Sequence, residues 1–152
     1  MKKIVIIGPA YPLKGGLAAF NQRLASEFEE QGIQTIIYTF SLQYPSILYP
    51  GRSQFSPDKA CHTLDIRSSI NSINPFNWIK IAREIAGIEP DVVICRYWMP
   101  YFAPSLGSML RIIKRNCSAQ IVGLVDNLIP HEKRFGDRWL TTYFVEAIDS
   151  FI

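Results

Sequence analysis

The sequence predicts a doubly wound α/β domain, a Rossmann-like parallel sheet with helices on both faces. Three observations carry that expectation. Short runs of β-branched and other apolar residues recur at 4–7, 33–40, 92–95 and 120–125. Such runs are too short for helices and too uniformly apolar for strands with a wet face, so they read as strands buried on both sides. Between them lie segments with apolar residues at helical spacing. The chain has 152 residues, 48% hydrophobic and 19% charged, enough for one sizeable core. Alternating strands and helices connect most simply as parallel neighbours.

The chain is organised around residues 3–20, KIVIIGPAYPLKGGLAAF. The first strand ends at Gly8-Pro9, and a loop rich in Gly and Pro follows. Gly15-Gly16 opens a helix expected to bury Leu17, Phe20, Leu24 and Phe28 and to end at Gly32. In open parallel sheets such a turn lies at the carboxyl edge, where ligands bind and a helix N-terminus faces an anion. The glycines do not fit G-x-G-x-x-G, and the loop lacks the Ser/Thr of a Walker A motif. Simple turn and ligand cradle are therefore both open readings. The second strand runs into Ser41-Leu42-Gln43, without the acidic ribose-binding residue of an NAD site. The first strand lacks the paired acids of a Mg²⁺-binding receiver domain.

Residues 41–59 carry the breakers Pro45, Pro50, Gly51 and Pro57 together with Tyr44, Ile47, Leu48, Tyr49 and Phe55. A loop of this length is usually functional. With the edge around Trp98 to Phe102 it is expected to shape a pocket and to be mobile without ligand. A short third strand is expected at 63–66. Asn74-Pro75 then starts a helix, Asn as cap and Pro in the first turn, that buries Trp78, Ile81, Ala82 and Ile85 and closes at Gly87. The strand at 92–95 leads into Arg96-Tyr97-Trp98. A helix from about 103 to 116 buries Leu106, Leu110 and Ile113 and displays Arg111, Lys114 and Arg115. That basic patch is a solvated helix face, or in the sharper reading a contact with anionic lipid. The strand at 120–125 ends in the turn Asp126 to Glu132, and Asp137 is expected to cap a last helix. Residues 149–152 begin one more strand, so a first domain with a partner domain beyond it is expected.

The net charge of +3 permits anionic ligands without requiring them. No apolar run reaches the length of a membrane span. Cys61, Cys95 and Cys117 are odd in number and lack Cys-x-x-Cys spacing, which suits reduced thiols of a cytosolic protein.

Candidate site residues lie just beyond carboxyl strand ends. Gly15 and Gly16 can offer backbone N–H groups to a phosphate. Arg96 and Trp98 suit a sugar or phosphate acceptor, against the alternative of aromatics packed under a loop. Asp126 and Asn127 favour function by position, although both also stabilise tight turns. His131 can hydrogen-bond a substrate or be an ordinary loop His. Glu132 can orient a hydroxyl or complement a helix dipole.

Three stretches together, KIVIIGPAYPLKGG, EPDVVICRYWMPYFAP and VDNLIPHEKRFGDRWL, resemble the N-terminal half of bacterial glycosyltransferases with the two-domain GT-B fold. The resemblance covers nearly the whole chain and is to the large retaining group called family 4 (glycosyl transferases group 1). Asn127, Pro130, His131 and Glu132 match the family's pattern, and Asp126 stands where a His is commoner. The resemblance implies that Gly15 and Gly16 abut the donor phosphates and that His131 and Asp126 occupy the catalytic position. It places Arg96, Trp98, Asn127, Glu132 and Tyr49 on the acceptor side. It implies a nucleotide-diphosphate sugar as donor substrate with no bound cofactor or metal, and a sugar or lipid-linked acceptor. A C-terminal domain would grip the nucleotide, and without it residues 1–152 are expected to be inactive. The implied setting is cell-surface polysaccharide or glycolipid synthesis in the cytoplasm, with peripheral contact at the inner face of the membrane and no nucleic-acid partner. The alternative is a stand-alone, non-catalytic nucleotide- or sugar-binding module.

Overall fold

The computed structural model describes residues 1–48, 55, 63–126 and 135–152. In chain order the elements are β1 (Lys3–Ile7), α1 (Gly16–Glu30), β2 (Gln34–Leu42), β3 (Asp65–Asn71), α2 (Pro75–Gly87), β4 (Val92–Tyr97), α3 (Ala103–Asn116), β5 (Gln120–Val125), α4 (Asp137–Val145) and β6 (Ser150–Phe151). Short 3₁₀ turns at Ser46–Leu48 and Pro100–Phe102 punctuate the loops after β2 and β4. The strands form one parallel sheet in the order β3-β2-β1-β4-β5-β6. The order reverses between β1 and β4, the point where ligands enter folds of this kind.

Strand alternation divides the core into two layers. Val5 and Ile7 of β1 point into a cluster with Ile81, Ala82 and Ile85 of α2, Leu106, Leu110 and Ile113 of α3, and Phe144 of α4. Ile4 and Ile6 point the other way, toward Ala25, Leu24 and Phe28 of α1. The sheet is therefore doubly wound, with α1 on one face and α2, α3 and α4 on the other.

Several elements differ from the sequence expectation. The buried stripe of α1 is Ala18, Asn21 and Ala25, with Leu24 and Phe28 half-buried beside it and Phe20 49% exposed. Small side chains at the contact let the helix axis approach the sheet, which moves the bulky ones to its flanks. The helix ends in a Schellman motif: Gly32 adopts φ 76°, its N–H bonds the Glu29 carbonyl, and the Ile33 N–H reaches the Phe28 carbonyl. β3 begins later and runs longer than expected. It is an edge strand held by backbone pairing with β2, and its Arg67, Ser68 and Ser69 gave no apolar signal. The cap of α4 is Gly136, in the left-handed region at φ 95°, and Asp137 is the first helical residue, where its charge complements the dipole. Asn74 caps α2 as expected, accepting from the N–H groups of Phe76 and Asn77.

Candidate functional site

The loop between β1 and α1 lies at the carboxyl edge, and side chains beneath it account for much of its backbone. The Ala10 N–H donates to the buried Thr39 Oγ1 at 2.9 Å, and the Tyr11 N–H donates to Gln22 Oε1 at 3.0 Å. Asn21 Nδ2 donates to the Pro9 carbonyl at 2.8 Å. The Leu13 N–H closes a turn onto Ala10, and the Leu13 side chain is buried. The loop delivers the chain to Gly15, which adopts φ 120° at the N-cap of α1. Among the described residues no side chain caps the helix there, and its first-turn amides face the cleft edge without a side-chain partner among them.

Arg96, at the end of β4, is only 6% exposed and sits beneath this loop. Its Nε donates to Asp126 Oδ2 at 2.7 Å, its Nη2 donates to Asp126 Oδ1, and its Nη1 donates to Asn21 Oδ1 at 3.2 Å. The Phe20 ring covers the guanidinium, 4.5 Å from ring centroid to Cζ. Both residues thus lie at the carboxyl edge as the sequence suggests, but they bind each other.

An aromatic cluster occupies the neighbouring edge. Trp98 packs on Phe102 with ring centroids 4.3 Å apart, and Tyr44 stacks on Tyr101 at 5.9 Å. The Trp98 indole N–H donates to the Tyr44 hydroxyl at 3.1 Å, and Ser72 Oγ bonds the Gln43 carbonyl at 2.7 Å. These contacts bind the start of the loop after β2 to the ends of β4 and β3.

Pro9, Lys14, Gly15, Gly16, Leu17, Gln43, Tyr44 and Trp98 surround a cleft of about 250 Å³. It straddles the carboxyl ends of β1, β2 and β4, beside the point of reversal. A larger hollow of about 520 Å³ opens at the opposite edge between Glu89, Pro90, Asp91, Asn116, Cys117 and Ser118. That hollow meets the C-terminal end of α3 and two carboxylates, both unfavourable to an anion, so its chemistry argues against it despite its size.

Gly15, Gly16 and Trp98 therefore share one cleft, with Arg96 and Asp126 packed at the same edge. Tyr49, Asn127, His131 and Glu132 lie outside the described residues. Sequence reasoning missed Lys14, the charged residue of the cleft lining, and Asn21, the polar residue on the buried face of α1. Asn21 had a legible signal, since it stands at helical spacing between Ala18 and Ala25. On the helix α3, Arg111 pairs with Glu146 and lies over the Tyr143 ring, while Lys114 pairs with Asp149. Among the described residues no group of three or more His, Cys, Asp or Glu could hold a metal ion, and no helix is long and apolar enough to cross a membrane.

Among solved structures the fold is similar to several glycosyltransferases. An alpha-glucosyltransferase in complex with UDP and a 13-mer DNA containing a central A:G mismatch matches with a TM-score of 0.59 and 11% identity, over 99% of this chain and 36% of that one. MurG of Acinetobacter baumannii matches with a TM-score of 0.59 and 13% identity, over 99% of this chain and 40% of that one. The alpha-glucosyltransferase in complex with UDP alone gives 0.55 at 11% identity, over 99% and 35%. No protein-family model and no curated protein matches the sequence. The chain thus spans well under half the length of these structures. At such identities the likeness is one of fold: a Rossmann-like α/β domain of the kind found in GT-B glycosyltransferases.

Proposed function

We propose that this chain is the acceptor-side half of a nucleotide-sugar-dependent glycosyltransferase, retaining and family 4-like, acting in cell-surface polysaccharide or glycolipid synthesis. The observation that supports this reading best is the meeting, in one cleft, of the helix N-terminus at Gly15 and Gly16, Lys14, and a wall formed by Trp98 and Tyr44. Glycosyl transfer from a nucleotide sugar expels a diphosphate, so negative charge develops on the leaving group. The amides of Gly16 and Leu17 and the Lys14 ammonium are suited to that charge. The aromatic wall suits the apolar face of a pyranose.

The volume of about 250 Å³ falls below the roughly 300–1,000 Å³ of complete ligand sites. It suits a donor phosphate beside an acceptor sugar, with the nucleotide held by a second domain across the cleft. Residues 1–152 alone would then turn over no nucleotide sugar.

The test is a donor screen on the full-length gene product, following release of nucleoside diphosphate. One nucleotide sugar should give release, and Lys14→Ala should lower its kcat/KM about tenfold, the loss of one charge-assisted contact of about 1.5 kcal/mol. Release from no donor would contradict the reading. Binding without release would identify a non-catalytic sugar- or nucleotide-binding module.

A further inference from the structure

We infer that Arg96 and Asp126 are a positioning pair for the cleft and not ligands of its substrate. The inference rests on the carboxyl-edge cleft being the binding site and gives that site its internal support.

The guanidinium has little left to offer a ligand. Nε and Nη2 engage both oxygens of Asp126, Nη1 engages Asn21, and the Phe20 ring covers the plane. Both oxygens of the Asp126 carboxylate hold Arg96, and the Asp126 backbone N–H donates to the Tyr97 carbonyl at 3.0 Å. Asn21 continues the series: its Oδ1 accepts from Arg96 and its Nδ2 donates to the Pro9 carbonyl. An unbroken run of hydrogen bonds therefore leads from the loop after β1, through the buried face of α1 and the end of β4, to the end of β5.

Gly8 shows how closely these parts fit. A Cβ there would stand 2.8 Å from Asn21 Nδ2 and 3.1 Å from the Arg96 Cβ. The network is directional in a way that apolar packing is not. A bidentate fork fixes the angle between guanidinium and carboxylate, and a Lys cannot reproduce it. Asn21 sits one and a half turns into α1, so holding it fixes both the rotation of that helix and the place of its first turn. That first turn, Gly16 and Leu17, lines the cleft. A buried ion pair of this kind contributes specificity of arrangement more surely than net stability.

The experiment uses the ¹⁵N-labelled full-length gene product, first without ligand. In the wild type the Arg96 Nε–H signal should exchange with water more slowly than those of the exposed arginines. In Asp126→Asn, and in Arg96→Lys, the backbone amides of Gly15, Gly16, Leu17 and Asn21 should shift, while that of Ile70 on the far strand stays in place. Asp126→Glu should restore the wild-type positions in part. Arg96→Lys reports on the same amides should Asp126→Asn fail to fold. Unmoved Gly15–Leu17 amides in a folded variant would overturn the inference. A nucleotide sugar that perturbs the Arg96 Nε–H signal more than the Lys14 and Gly16 amides would also overturn it, by making Arg96 a ligand. Titration then separates roles: Lys14→Ala should weaken nucleotide-sugar binding without moving the ligand-free amides of Leu17 and Asn21, and Asp126→Asn should do both. Wild-type chain that binds no nucleotide sugar would contradict the proposed function, while the ligand-free spectra still decide whether the pair positions α1.

Discussion

The indole N–H of Trp98 donates to the hydroxyl of Tyr44 at 3.1 Å, joining the edge of β4 to the loop after β2 along the wall of the cleft. Tyr44 also bonds the Met99 sulfur at 3.4 Å and stacks on Tyr101. The aromatic wall is thus assembled from two strand ends that the chain separates by more than fifty residues. It is held by specific bonds as well as by contact.

That wall gives the first prediction. In the full-length gene product, Trp98→Ala should raise the acceptor KM about tenfold, a loss of roughly 1.4 kcal/mol, and leave the donor KM within about twofold. Trp98→Phe should keep most of the stacking surface while removing the indole N–H that donates to the Tyr44 hydroxyl. Steady-state kinetics with each substrate varied in turn checks this. Equal effects on both substrates would assign Trp98 to packing alone.

Gly8 is a position where the missing Cβ matters. Gly8→Ala should displace the Asn21 amide and cost about 1–3 kcal/mol, the usual range for overpacking a tight contact. For a domain of this size that lowers Tm by about 3–10 °C. Thermal unfolding together with the Asn21 side-chain amide resonance tests it. An unchanged Tm and an unmoved resonance would show that the loop has room to spare.

Asp149 supplies a pH-dependent test. Burial works against ionisation of its carboxyl, but hydrogen bonds from the Lys114 ammonium and from the Ile121 N–H at 2.8 Å outweigh it, and its pKa lies below the ordinary value. A carboxylate with a depressed folded pKa stabilises the protein above its unfolded pKa of roughly 3.9, and the contribution is lost as pH falls through the folded value. Asp149→Asn should therefore lower Tm by about 3 °C at neutral pH, near 1 kcal/mol for a half-exposed pair. The gap to wild type should close as pH falls through the lowered pKa of the folded state. A gap that is just as wide in acid would mean that the pair's charge is not the source.

The sheet was legible because its central strands are buried on both faces and read as unbroken apolar runs, as residues 4–7 and 92–95 do. β3 was not, since an edge strand carrying Arg67, Ser68 and Ser69 draws its stability from backbone pairing, which leaves no side-chain pattern. The helix after the glycines was legible in place and length, but its buried face was misjudged. Large apolar residues suggested Phe20, whereas close approach to the sheet selected Ala18, Asn21 and Ala25. The carboxyl edge was readable from strand ends, which placed Gly15, Gly16, Arg96, Trp98 and Asp126 together. The pairing of Arg96 with Asp126 was not, because nothing local links residues thirty positions apart.

The most direct test of the central claim is an amide-shift map of the ¹⁵N-labelled full-length gene product titrated with nucleotide sugars such as UDP-glucose. Binding at the carboxyl-edge cleft predicts concentration-dependent shifts at Lys14, Gly15, Gly16 and Leu17, with the opposite edge at Glu89, Asn116 and Ser118 unmoved. Shifts confined to Glu89, Asn116 and Ser118, or none with any nucleotide sugar tried, would contradict it.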